Sequence, residues 1–304
     1  MKIIDDDYAY VNSLLVVIIS LPIFMIIILS ISLSFTLAND TASDMSAHML
    51  KSTTGDVEGQ LDRISKQAIH NLSKYSYDNV YVVSNSTKTL RSLIQNGINN
   101  LTDDYSKRGI LINCTIINIY PADDPFSFDV YYRIYSTFVN DSSKHIQSNN
   151  MITVSIVDSS YPVYDVYPLF RSQVRTVNDS YIYNDVDVVY DNAASGLFIR
   201  RCPYDDYTSH ANSNITFLDC LNNHYYHLSH DGLCIFCRLE NRSTCPHNGL
   251  ETFIIPSLRV NQSTSSIDHV YFNESADGHY NGSLRDFNDS FIYLDDAHGG
   301  KYGF

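Results

Sequence analysis

Apolar residues are concentrated in one run near the N-terminus, and the rest of the chain shows two shorter periodicities. From Leu14 to Leu37 the sequence has 24 residues without a charged side chain. A helix of this length can cross the hydrocarbon layer of a membrane, which is about 30 Å thick. The pattern therefore predicts a short cytoplasmic leader at residues 1–13 and a transmembrane helix at residues 14–37.

Two amphipathic helices are predicted after this run, at residues 57–75 and at about residues 87–107, because apolar side chains recur there at the spacing of one helix face. Ser86 is expected to cap the second helix and Gly109 to end it. The inward-facing residues are expected to be Val57, Leu61, Ile64, Ala68, Leu72 and Tyr75 in the first helix and Leu90, Leu93, Ile94, Ile98, Leu101 and Tyr105 in the second. Gly55 and Gly59 are expected to weaken any continuous connection to the transmembrane helix.

After Gly109 the period changes to two, which predicts half-buried strands. Apolar and polar residues alternate at Ile110 to Ile116, at Phe128 to Val139 and at Ile152 to Ile156, and the polar stretch from Asn140 to Asn150 is expected to separate strands. Further strands are predicted at residues 181–190, 215–218, 252–255, 270–272 and 291–294. The fold class is therefore α+β, with the helices packed on a mostly antiparallel sheet. Residues 38–195 are expected to form this α+β ectodomain, and residues 196–304 a cysteine-rich β/loop region.

Acceptor sequences for N-linked glycans, Asn-x-Ser/Thr, are unusually frequent. With 26 Asn and 53 Ser plus Thr in 304 residues, random order gives only about four or five such triplets. The alternative is simply a composition rich in Asn and Ser. The thirteen candidate glycosylation sites are Asn39, Asn71, Asn85, Asn100, Asn113, Asn140, Asn178, Asn214, Asn241, Asn261, Asn273, Asn281 and Asn288.

All thirteen triplets follow the apolar run, and this one-sidedness predicts a topology. Because sugar transfer takes place outside the cytosol, the chain is expected to be a single-pass protein of the cell membrane with an extracellular, glycosylated C-terminal domain. A removed secretory signal is the competing interpretation, since Thr36 to Ala38 offers small residues at the positions that a signal peptidase reads. The acidic start and the long apolar run favour a retained helix instead.

The N-terminus has a short charged leader, Met1 to Ala9, then an apolar helix, then a head domain. This arrangement resembles the class III signal segment of archaeal type IV pilin-like surface proteins, over roughly the first 40 residues. The resemblance implies cleavage after Ala9, with Tyr10 as the mature terminus. It also implies a homopolymer in which the apolar helices of many copies form a filament core and the heads face outward.

The charge of the chain restricts its partners. The net charge is -14, from 30 Asp and 4 Glu against 20 Lys plus Arg that form no cluster. Such a chain is not expected to bind nucleic acid or anionic lipid headgroups. The motifs HExxH, GxSxG and GxGxxG and the P-loop are missing. No catalytic residues are therefore assigned, and an enzyme is the less favoured interpretation.

Six cysteines allow two interpretations. The first is a disulfide framework, which is the default in an exported domain; it would use Cys114, Cys202, Cys220, Cys234, Cys237 and Cys245. The second is a structural zinc site, because three thiolates and one imidazole are a tetrahedral ligand set for zinc. Its ligands would be Cys234, Cys237, Cys245 and His247. A bridge between Cys202 and Cys220 would then remain, with Cys114 as a buried free thiol.

Three histidines precede this cluster at every third position: His224, His227 and His230. On a helix they would lie along part of one side, where imidazoles can bind zinc, copper or nickel.

Two functions follow from the sequence. The first is a membrane-anchored extracellular glycoprotein with a structural, adhesive or pilus-like role. The alternative is a membrane-anchored metal-binding ectoprotein or ectoenzyme that uses the Cys/His cluster at residues 202–247.

Overall fold

A long helix, α1, is the first element of the fold, and its C-terminal part contacts the second helix and the first sheet. The computed structural model describes residues 6–172, 181–184, 197–201, 225–229, 232–251, 253–254, 269–272, 284–287 and 290–293. Helix α1 runs without interruption from Asp6 to Asn79, through 74 residues. At a rise of about 1.5 Å per residue, its length is on the order of 110 Å.

The N-terminal part of α1 is apolar on all sides, and none of its described side chains from Leu15 to Leu37 is buried. The large apolar side chains from Leu15 to Leu37 are about half exposed or more, since their exposed fractions lie between 47% and 71%. Three serines in this part donate to helical carbonyls: Ser20 Oγ to Val17 O at 3.2 Å, Ser30 Oγ to Ile27 O at 2.8 Å and Ser34 Oγ to Ser30 O at 2.7 Å. Hydroxyl groups are thereby accommodated in an apolar segment.

The predicted break near Gly55 and Gly59 is wrong, because α1 continues through both residues. Glycine in a helix interior costs only about 1 kcal/mol relative to alanine. Val57 and Leu61 lie beside these glycines and are almost completely buried in the core. Burial of side chains of this size contributes about 1.5–3 kcal/mol each, which is more than the two glycines cost.

The C-terminal part of α1 packs into the head, on a broader face than predicted. Val57, Leu61, Ala68 and Leu72 are buried as expected, and Ile64 is half-buried. Tyr75, by contrast, is 56% exposed. The buried face also includes Ser65, Ile69, Ser73, Ser76 and Tyr77. The helix therefore contacts neighbours on two sides, which a single apolar stripe does not predict.

The second helix, α2, runs from Ser86 to Ser106. Its cap is Asn85, one residue earlier than predicted, whose Oδ1 accepts from the backbone amide of Lys88 at 2.9 Å. Leu90, Ile94 and Ile98 are fully buried, whereas Leu93 is 37% exposed and does not belong to the inner face. Leu101 and Tyr105 pack against the core as partly buried residues.

Helix α2 lies very close to α1. A Cβ atom added to Gly97 would lie 2.6 Å from Ile64 Cγ2. A residue without a side chain is therefore required at this crossing. The chain then leaves α2 through Gly109, which has a φ of +84° and so adopts the left-handed conformation that favours glycine.

A three-stranded antiparallel sheet follows, with the strand order β1-β2-β3. Its strands are β1 (Ile110–Pro121), β2 (Ser127–Phe138) and β3 (Asp141–Ser155). The predicted alternation is confirmed in β1, where Ile110, Ile112, Cys114 and Ile116 are buried. The stretch from Asn140 to Asn150 is not a separator, because nearly all of it belongs to β3. Its backbone pairs with β2 along the whole strand, so backbone pairing outweighs its polar composition.

Polar contacts join α1 to this sheet. Thr54 Oγ1 and Ser136 Oγ lie 2.6 Å apart in the buried interior. Glu58 Oε1 accepts from Tyr132 Oη at 3.2 Å and from Asn150 Nδ2 at 2.8 Å. Burial, together with the negative charge of Glu58, raises the pKa of Tyr132 to about 12. The phenol therefore remains a hydrogen-bond donor at neutral pH.

Two further sheets involve the later part of the chain. One has the order β4-β5-β6-β7-β8 and the other the order β11-β12-β10-β9, and both mix parallel with antiparallel pairs. Between β4 and β5 lies a short helix, α3 (Tyr167–Ser172), and between β7 and β8 lies α4 (Ile235–Leu239). The strands are β4 (Tyr164–Asp165), β5 (Tyr181–Asn184), β6 (Leu197–Arg201), β7 (Tyr225–Ser229), β8 (Gly249–Glu251), β9 (Phe253–Ile254), β10 (His269–Phe272), β11 (Leu284–Phe287) and β12 (Ser290–Tyr293).

The α+β class is thus confirmed, with a long N-terminal apolar helix, an antiparallel three-stranded sheet and a cysteine cluster towards the C-terminus. Strands were predicted near the positions of β5, β9, β10 and β12, and the structure has strands at all four. The strand predicted at 215–218 lies outside the described residues. The five-stranded sheet takes strands from both sides of residue 195, where the domain boundary was predicted.

Candidate metal centre

The cluster is built around the short helix α4. Cys234 occupies the cap position before the helix, in an extended conformation, and its side chain makes no capping hydrogen bond. Cys237 lies within α4, so both thiols of the CxxC pair are held by the same turn of backbone. After the helix the chain reverses at Asn241, whose φ is +50°, and the amide of Arg242 donates to Cys237 O at 3.0 Å. Asparagine is one of the few residues that tolerate this conformation readily.

Two backbone hydrogen bonds between Leu233 and Leu250, called the clasp below, close the loop that carries the cluster. The amide of Leu233 donates to Leu250 O at 3.1 Å, and the amide of Leu250 donates to Leu233 O at 2.9 Å. The two segments approach so closely that a Cβ atom on Gly249 would lie 2.3 Å from the carbonyl carbon of Leu233. A Cβ atom on Gly232 would lie 2.7 Å from the amide nitrogen of Leu250. Both positions therefore require glycine.

Four potential ligand atoms meet inside this loop. The Sγ atoms of Cys234, Cys237 and Cys245 and a ring nitrogen of His247 all lie within 4.8 Å of one another. Cys245 Sγ lies 3.6 Å from Cys234 Sγ and 3.4 Å from His247 Nδ1, and Cys234 Sγ lies 3.7 Å from the same nitrogen. These four residues are close enough to bind one metal ion.

The separations between the ligand atoms can be compared with those in a tetrahedral zinc site. With Zn–S bonds near 2.3 Å and Zn–N bonds near 2.0–2.1 Å, tetrahedral angles place ligand atoms about 3.5–3.8 Å apart. The three separations among Cys234, Cys245 and His247, 3.4 to 3.7 Å, are close to this range, and all four ligand atoms lie within 4.8 Å of one another. Cys234 and Cys237 are buried, Cys245 is half-buried and His247 is exposed, so the cluster opens to solvent on one side only.

The three thiols shift one another's pKa values in opposite directions. Hydrogen bonds to Cys234 and Cys237 lower the pKa of Cys245. Hydrogen bonding to Cys234, followed by hydrogen bonding to Cys245 and burial, raises the pKa of Cys237. A divalent cation bound by all three sulfurs would favour their thiolate forms.

Behind the cluster, α4 is tied to the head by a buried ion pair. Arg238 donates from Nε to Asp165 Oδ1 at 3.0 Å and from Nη2 to Asp165 Oδ2 at 2.7 Å, and both side chains are fully buried. Its Nη1 donates to Leu250 O at 3.0 Å, and its guanidinium lies 4.8 Å from the ring centre of Tyr167. Paired charges that also form hydrogen bonds with neighbouring oxygens are the arrangement in which burial of charge is tolerated.

A second set of contacts ties α4 to the start of α2. Glu240 Oε1 accepts from the amide of Ser86 at 2.8 Å and from Ser86 Oγ at 2.7 Å. Nearby, the amide of Val83 donates to Leu239 O at 3.0 Å. The ring of Phe236 meets Phe128 of β2 edge to face, with ring centres 5.8 Å apart. The sequence analysis did not predict these contacts or the ion pair of Arg238 with Asp165. Contacts between segments that are distant in the sequence leave no local pattern of residues.

The four predicted zinc ligands are therefore brought together, and Cys114 lies apart from them on β1. Cys114, Cys234, Cys237 and Cys245 all have free thiols, so the structure has no disulfide among the four cysteines that it describes. Cys114 is buried on β1, and burial, followed by the charge of Glu58, raises its pKa to about 12. Cys202 and Cys220 lie outside the described residues, so a bridge between them stays a prediction.

The prediction that His224, His227 and His230 lie on one helix is wrong at His227. His227 lies in β7, in a backbone that is extended. His224 and His230 lie outside the described residues. The helical arrangement of three imidazoles therefore gives no support to a second metal site.

Six of the candidate glycosylation sites have described side chains, and all six are exposed: Asn71, Asn85, Asn100, Asn113, Asn140 and Asn241. The side chains of the other seven, Asn39, Asn178, Asn214, Asn261, Asn273, Asn281 and Asn288, lie outside what the structure describes.

Comparison with models of protein families, with curated proteins and with solved structures finds no match for this chain. Within the described residues, one helix, α1, is long and apolar enough to cross a membrane, and a signal sequence passes the same test. The resemblance to pilin-like surface proteins stays a prediction.

Proposed function

We propose that this protein is a membrane-anchored cell-surface glycoprotein with a pilus-like structural role. The observation that carries the proposal is the continuity of α1, which is apolar and exposed in its N-terminal part and buried in the head in its C-terminal part. A helix that is apolar on all sides is stable in lipid or among other apolar helices, and not in water. The N-terminal part therefore serves as anchor and as the stem of a homopolymer, while the head faces outward.

The exposed asparagines support the orientation of the head. Each of the six acceptor asparagines with a described side chain can carry a glycan without unfolding its surroundings. At Asn85 the cap uses Oδ1, so Nδ2, the atom that a glycan would modify, is not the capping atom. A surface with acceptors on α1, α2, β1 and the cluster loop would be shielded by sugar on several sides.

Mass spectrometry of the native protein tests this proposal. We expect a mature terminus at Tyr10 or earlier, and sugar masses on peptides that contain the exposed acceptors. Exchange of Asn113 for Gln should increase mobility on a gel, whereas the same exchange at Asn118, exposed on the same strand but outside any acceptor sequence, should not. A mature terminus at Asn39, or native protein without sugar, would overturn the proposal.

We further propose that the head binds one zinc ion through Cys234, Cys237, Cys245 and His247. The supporting observation is the convergence of four ligand atoms at separations close to those of a tetrahedral zinc site. Soft thiolates with one imidazole favour zinc over calcium or magnesium, which prefer oxygen. All four ligands are supplied by the protein, so the site is of the structural kind and leaves no position for substrate.

Metal analysis of full-length protein in detergent, purified anoxically with a reductant, tests the zinc site. We expect one zinc per chain, lost in Cys245→Ser and retained in Cys114→Ser, a control that removes a thiol outside the cluster. If the wild-type protein holds no zinc and its cysteines resist alkylation until they are reduced, the disulfide framework is correct instead.

A further inference from the structure

We infer that the zinc ion acts as a latch that fixes residues 232–250 against the beginning of α2, and so joins the cysteine segment to the helical core. The inference rests on the zinc site proposed above and adds a role for it. It predicts that zinc binding is sensed at Val83 and Ser86, which are not ligands and lie about 150 residues before the cluster.

The segment from residue 232 to 250 has little regular structure of its own. Its elements are α4, which has five residues, the clasp between Leu233 and Leu250, and the first residues of β8. A helix of five residues is too short to be stable by itself. The ligands divide between the two sides of this segment, since Cys234 and Cys237 flank and belong to α4 while Cys245 and His247 lie on the loop after it. One ion bound to all four therefore fixes the loop to the helix.

The residues that reach the core lie between these ligands. Leu239 and Glu240 lie two and three residues after Cys237, and they accept hydrogen bonds from the amides of Val83 and Ser86, respectively. The carbonyl of Phe236 accepts from Ser86 Oγ at 3.3 Å. Because these groups belong to the turn of backbone that holds the thiols, their positions depend on the orientation of α4. Loss of the ion frees that orientation and weakens both hydrogen bonds together.

The buried ion pair does not replace the latch. Arg238 binds Asp165, whereas Glu240 binds Ser86 at the start of α2. The ion pair holds α4 at Arg238, and the metal adds a further constraint at Cys234 and Cys237. We therefore expect zinc removal to act locally, at the contact with α2, while the three-stranded sheet stays folded.

Hydrogen exchange of the full-length protein in detergent, with and without zinc, tests the latch. On removal of zinc by a chelator under reducing conditions, exchange of the Val83 and Ser86 amides should become about tenfold faster or more. The amide of Ile134, in the central strand of the sheet, serves as the internal reference and should keep its rate. Readdition of zinc should restore protection at both reporters.

Variants separate the latch from the metal site. In Cys245→Ser the two reporters should exchange fast with or without zinc, and in Cys114→Ser they should respond as in the wild type. Protein that binds zinc but shows equal rates at Val83 and Ser86 with and without it would overturn the latch and leave the zinc site standing. Protein that binds no zinc would overturn both. If Cys245→Ser does not fold, the chelated wild type still gives the decisive comparison.

Discussion

Replacement of Arg238 by methionine is expected to be among the most destabilising single changes in the head. The guanidinium is fully buried and donates three hydrogen bonds, two of them to the equally buried carboxylate of Asp165. Methionine has no charge and cannot donate a hydrogen bond, so within the described residues Asp165 would keep the donor from the Tyr167 amide at 3.2 Å. Removal of one partner from a buried pair costs about 3–5 kcal/mol. The stability of a whole domain is typically about 5–15 kcal/mol, so the loss would be a large part of it.

The assay is the urea midpoint of full-length protein in detergent, read by pulse proteolysis. The exposed pair of Lys107 and Asp104 supplies the control, because Lys107→Met should leave the midpoint unchanged. A double variant with Asp165→Leu and Arg238→Met should recover most of the loss, since it leaves no buried charge without a partner. If Arg238→Met alone costs less than about 1 kcal/mol, the pair is not buried as described and the reasoning is refuted.

Three further outcomes are expected in the same protein. Gly249→Ala should lower the free energy of unfolding by at least about 1 kcal/mol because its Cβ would overlap the backbone at Leu233, whereas Gly55→Ala, with nothing within 4 Å, should raise it by about 0.5–1 kcal/mol. Cys114 should resist alkylation at pH 8 until urea is added; burial raises its pKa from 9.0 to about 12, so its contribution to stability should be lost as pH rises from 9 to 12. Asn85→Ala should lower the free energy of unfolding by about 0.5–2 kcal/mol, while Asn85→Asp, which also removes the acceptor sequence, should not, because aspartate still caps α2.

The helices and the first three strands follow from local pattern, and their errors have local causes. Alternation located β1 because its buried positions are apolar. It missed the first part of β3, since Asp141 to Asn150 is polar and is held as a strand by pairing with β2. Tyr75 was assigned to the inner face because one stripe was fitted to α1, although the helix meets partners on two sides and turns Tyr75 to solvent.

The sequence predicted the ligands of the candidate site but not the residues that hold the site in place. The spacing of Cys234, Cys237, Cys245 and His247 is a local pattern that specifies a ligand set, and these residues do converge. The anchoring residues Asp165 and Glu240 are separated from their partners by 73 and 154 residues. Nothing in a single sequence marks such pairs, because each is one carboxylate among many.

Helix α1 also determines the rotation of the head about the helix axis, relative to the apolar end of α1. Between Ala38 and Met49 it has no fully buried residue among those whose side chains are described, so this stretch is a bare rod between the apolar part and the first core residue, Leu50. Each residue of a helix turns the chain by about 100° and advances it by about 1.5 Å. Insertion of one alanine between Ala38 and Met49 would leave the contacts within the head intact. It would nevertheless rotate the head by more than a quarter of a circle relative to the apolar end of α1.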